Sequence, residues 1–61
     1  MKYFPTFNAK DEQEANYIAG VLAMRQIETR IESVPQDGNK FVVSVPWGLE
    51  SRAVSVYFGL A

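Results

Sequence analysis

The densest apolar run, residues 41–45 (FVVSV), places Phe41, Val43 and Val45 on one face of the strand it predicts and Val42 on the other. Such a strand suits a central position, covered on both sides and paired along both edges. Strict alternation over residues 27–33 (IETRIES) predicts a half-buried strand, with Ile27, Thr29 and Ile31 on one face and Glu28, Arg30 and Glu32 on the other. Residues 35–40 (PQDGNK) are turn formers, and Gly38 and Asn39 tolerate positive φ, so the two strands should form a hairpin. Residues 2–7 (KYFPTF) have strand composition, but Pro5 has no amide proton and confines the segment to an edge. Regular alternation there would group Tyr3, Pro5 and Phe7 against Phe4 and Thr6, with either set inward.

A 3.6-residue period takes over after Phe7. Asn8 is the expected N-cap, with Asp11 at the capping-box position and Asp11, Glu12 and Glu14 at the positive end of the helix dipole. Ala15, Ile18, Ala19, Leu22 and Ala23 form the stripe expected to meet a sheet. Tyr17, Gly20, Val21 and Met24 fall on the opposite side, where a surface helix should be polar. Gly20 costs about 1 kcal/mol relative to alanine in a helix interior, which asks for a reason such as a second backbone close by. Either a second helix of the same domain covers this side or a partner does.

Pro46-Trp47-Gly48 interrupts the central strand. Residues 49–61 alternate acceptably as a strand, but at the helical period Ser51, Arg52, Ser55 and Gly59 gather opposite Leu49, Ala53, Val56, Tyr57 and Leu60. A closing helix is therefore expected. The order strand, helix, strand, strand, helix with a right-handed crossover predicts one domain over residues 1–61. Its class is α+β: a two-layer βαββα sandwich, half of a ferredoxin-like unit, with a three-stranded antiparallel sheet in order 1-3-2 and both helices on one face.

Composition narrows what such a domain can do. With 61 residues, 48% of them hydrophobic, the chain carries more apolar surface than one small core hides, and a partner or a second copy is the natural cover. The absence of cysteine and histidine removes the thiolate nucleophile, the usual general base and the usual zinc ligands, and fits a reducing, cytoplasmic setting. A net charge of −1 supplies no field for a phosphate backbone. No run approaches the roughly 20 apolar residues of a membrane span, and the N-terminus lacks a signal-peptide core, so a soluble chain that keeps its N-terminus is expected.

The run TFNAKDEQEANYIAGVLAMRQIETRIES, followed by a turn and FVVSVPWGLESRAVSVYFGL, resembles the small signal-transducing domains of unknown function found in bacteria. It is similar also to the cytosolic N-terminal domain of bacterial rhomboid proteases. The resemblance spans nearly the whole chain as a pattern, and it implies a regulatory or interaction module without catalysis. The chain departs from the pattern at Arg25-Gln26, where those domains often carry glycine, and at Trp47.

Candidate chemistry has simpler explanations. Serines 33, 44, 51 and 55 have no histidine to activate them, and Lys2, Lys10 and Lys40 show no spacing of a serine–lysine pair. Glu28 and Glu32 flank Arg30 on a polar strand face and read as a solvated surface. Asp11, Glu12 and Glu14 match the helix dipole better than a cation site, and Asp37-Gly38-Asn39 reads as a turn. No cofactor, metal or catalytic residue is expected. The expected function is a non-enzymatic protein-binding module that regulates or inhibits a larger protein through Tyr17, Gly20, Val21, Met24 and Trp47, tryptophan being a common interface anchor. A homodimer through the same helix side is a variant of this. The rival is single-stranded nucleic-acid binding on the open sheet face by Tyr3 or Phe4 beside Val42, which the neighbouring glutamates oppose.

Overall fold

A computed structural model describes residues 2–34 and 40–59, which form β1 (Tyr3–Ala9), α1 (Glu12–Ala23), β2 (Arg30–Val34), β3 (Lys40–Pro46) and α2 (Glu50–Tyr57). The sheet is antiparallel in order β1-β3-β2, so FVVSV is central as its apolar content requires. The turn expected at residues 35–40 lies mostly outside the described residues, although β2 and β3 pair in register up to Val34 and Lys40. Both helices pack on one sheet face over a core of Phe7, Ala9, Ala15, Ile18, Leu22, Ile27, Val43, Val45 and Ala53. No described helix is long and apolar enough to cross a membrane.

Three local outcomes differ from the sequence reading. First, β1 runs on to Ala9, and Asn8 pairs with Val42 instead of capping a helix. The cap moves one turn along: Asp11 accepts the Glu14 N–H at 2.8 Å, and Glu14 Oε1 accepts the Lys10 N–H at 2.8 Å. This is the capping-box exchange with its return bond shifted to the preceding residue.

Second, β1 carries a bulge. Pro5 lies opposite Ser44 and Phe7 opposite Val43, leaving Thr6 as the extra residue, its hydroxyl donating to the Phe4 carbonyl at 2.8 Å. The bulge reverses the alternation, so Phe7 faces the helices with Phe4, while Tyr3 and Pro5 share the opposite, open face. Ladder position separates Phe7 from the group expected for it.

Third, residues 27–29 are not paired strand. The Ile27 N–H donates to the Leu22 carbonyl at 3.0 Å and the Gln26 N–H to the Ala23 carbonyl at 2.9 Å, a Schellman closure of α1. The two apolar positions that accompany this motif are Leu22 and Ile27, both in the core. Gln26 holds the left-handed position with φ 64°. Of the expected core stripe, Ala15, Ile18 and Leu22 are buried, Ala19 is half-buried and Ala23 is exposed.

The expected cover on both sides of β3 is also only partly present. No second layer lies over the open face among the described residues; Val42 is half-buried there between Asn8 and Glu32. Ser44 is nevertheless buried, because Arg30, its partner on β2, reaches across β3 to lie 5.0 Å from the Tyr3 ring centre.

Candidate interaction surface

The helical period that buries Ile18 and Leu22 turns the other side of α1 to water. Tyr17 is 64% and Met24 83% exposed, Gly20 is exposed, and Val21 is half-buried. The second helix covers this side in part: the Tyr17 ring meets Tyr57 of α2 edge-on at 6.3 Å. A Cβ built on Gly20 would meet nothing within 4 Å, so among the described residues no other backbone of the protomer approaches it.

Tyr57 links that tyrosine to the interior. Its ring packs against Phe7 at 5.1 Å and Phe58 at 5.1 Å, and Phe7 and Phe58 lie 6.5 Å apart. The result is an aromatic cluster that begins at a core residue and ends at two exposed rings, Tyr17 and Phe58. Phe58 lies off the inward stripe of α2, so the helical period does not mark it as a contact. Val54, one turn earlier, is exposed as well, and i, i+4 spacing was the available signal.

Trp47 is exposed, but its ring contact is with Phe4, edge-on at 5.4 Å. The structure thus joins Tyr17, Val21 and Met24 along one helix and gives Trp47 a separate aromatic partner at the start of β1. Trp47 is held outward by a turn in which the Leu49 N–H donates to the Pro46 carbonyl at 3.0 Å. Gly48 takes φ 99°, which the third position of a type II turn requires, and its N–H donates to Glu50 Oε1 at 2.8 Å.

An open groove of about 450 Å³ adjoins Tyr17 and Tyr57, lined also by Lys10, Asp11, Gln13 and Glu14. Asp11 accepts the Glu14 N–H of the first helical turn and Glu14 the Lys10 N–H just before the helix, so both carboxylates are engaged by the chain's own backbone. Among the described residues no group of three or more acidic, histidine or cysteine side chains is placed to hold a metal ion.

On the open face, the Tyr3 hydroxyl donates to Glu28 Oε1 at 3.2 Å beneath the Arg30 guanidinium. Phe4, the other proposed base-stacking residue, lies on the helix side, paired with Val45. No protein-family model, curated protein or solved structure matches the chain.

Proposed function

We propose that this chain is a non-enzymatic module that binds and regulates or inhibits a larger protein, with the outer side of α1 as its docking face. The observation that carries the proposal is Tyr17, exposed yet braced by Tyr57, beside exposed Met24 on the same helix side. A braced aromatic loses little side-chain freedom when a partner covers it, the property that makes aromatic anchors effective. Gly20 leaves space between them for a partner's side chain or backbone. Trp47 and Phe4 offer a separate contact. The occupant is an apolar helix or strand face of a larger protein. Absence of cysteine supports a cytoplasmic setting, and the resemblance to bacterial signal-transducing domains supports a regulatory role.

The test is cross-linking and affinity capture in the native host with wild-type chain and with Tyr17→Glu. One protein should be enriched at a fixed stoichiometry by the wild type and reduced at least about tenfold by the substitution, with unchanged far-ultraviolet circular dichroism. Capture indifferent to Tyr17→Glu would remove the docking face. The open sheet face supports nucleic-acid binding less well, since its one aromatic is already engaged by Arg30 and Glu28. Titration with labelled single-stranded oligonucleotides at low salt should show no saturable binding at micromolar protein.

A further inference from the structure

The two edges of the sheet are unlike. The edge strand β1 carries Pro5 and a bulge at Thr6, two devices that block further strand pairing. The other edge strand, β2, has neither: Arg30–Val34 pairs with β3 one residue for one, without a register shift. Its outer edge faces no other strand among the described residues. We infer that β2 pairs antiparallel with β2 of a second copy of this chain, joining two sheets into one of six strands.

Charge fixes the register. A twofold axis through an antiparallel pair sets each residue opposite one of the same parity, so only a few centres are possible. Centring on residue 30 sets Arg30 against its own copy, and centring on residue 32 does the same to Glu32. Centring on Ile31 sets Arg30 opposite the partner's Glu32 and Glu32 opposite the partner's Arg30, both on the open face, with Ile31 meeting the partner's Ile31 on the helix side. Within Arg30–Val34 this is the one register that matches opposite charges. Both side chains are exposed in the protomer, and Arg30 needs only to turn from Tyr3 toward the edge.

The helix layer does not obstruct this arrangement. Helix α1 packs chiefly over the central strand β3, with β1 and β2 to either side. With strands about 4.8 Å apart, two copies of α1 seated over β3 lie roughly 14 Å apart, so the strands and not the helices carry the contact. The flank of α1 toward β2 carries Ala19 and exposed Ala23, and Ala23 borders the open groove formed with Ile27, Glu28 and Thr29. Small side chains there leave room for the helix layer of the second copy. The inference is independent of the docking face on the outer side of α1, and each can fail without the other.

Sedimentation equilibrium or light scattering across micromolar to millimolar protein tests it. The wild type should form a concentration-dependent species of twice the 6.9 kDa chain mass. Arg30→Glu and Glu32→Arg should each weaken the dimer at least about tenfold, because either one sets like charges opposite twice, and the double swap should restore it to within about threefold. Circular dichroism verifies that each variant is folded. A chain monomeric to millimolar concentration, a dimer indifferent to these substitutions, or a double swap that fails to restore association would overturn the inference.

Discussion

At residue scale, Gln26 occupies a backbone conformation that disfavours side chains, since the left-handed region costs an L residue roughly 1–2 kcal/mol. The Schellman bonds and the burial of Leu22 and Ile27 hold it there. Gln26→Gly should therefore raise unfolding free energy by about 0.5–1 kcal/mol in urea titrations, the gain reduced by the extra freedom of glycine in the unfolded chain. Gly20 presents the opposite case, for its surroundings leave room for a side chain and its backbone is helical. Gly20→Ala should stabilise the isolated chain by about 0.4–1 kcal/mol in the same measurement. Loss of stability on Gln26→Gly would contradict a left-handed residue at the end of α1, and on Gly20→Ala it would contradict an open helix side at that position.

At the scale of elements, the sequence made strand and helix order legible because alternation and the 3.6-residue period seldom overlap in this chain. The central place of FVVSV followed from its alternation, whereas residues 49–61 fit both periods and only the cleaner grouping of their polar residues favoured the helix seen at Glu50–Tyr57. Boundaries were harder to read where two good signals competed. Asn8 and Asp11 are both strong capping residues, and pairing of Asn8 with Val42 decided between them. Asp11→Ala should cost about 1 kcal/mol, seen as a lower thermal midpoint, while Asn8→Ala should have less effect. The end of α1 was illegible for another reason: Gln26 carries no glycine signal, so Ile27 read as strand when its N–H closes the helix. The exposed side of α1 was readable from its wheel. The separation of Trp47 from that side was not, because it depends on where a turn after β3 points the ring.

At the scale of the molecule, one face of the sheet is packed and the other is covered only by its own side chains, with Arg30 spanning β3 toward Tyr3. Phe7 and Ala9 reach the packed face only because Thr6 is an extra residue in β1. A chain lacking Thr6 would have to lose either the pairing of residues 3–5 or the burial of Phe7, since a one-residue slip turns every later side chain over. Deletion of Thr6 should abolish the cooperative unfolding transition, whereas Thr6→Ala should shift it by about 1 kcal/mol or less. In this strand, residue count is under tighter constraint than residue identity: among natural variants, point changes at position 6 should survive where a lost codon does not.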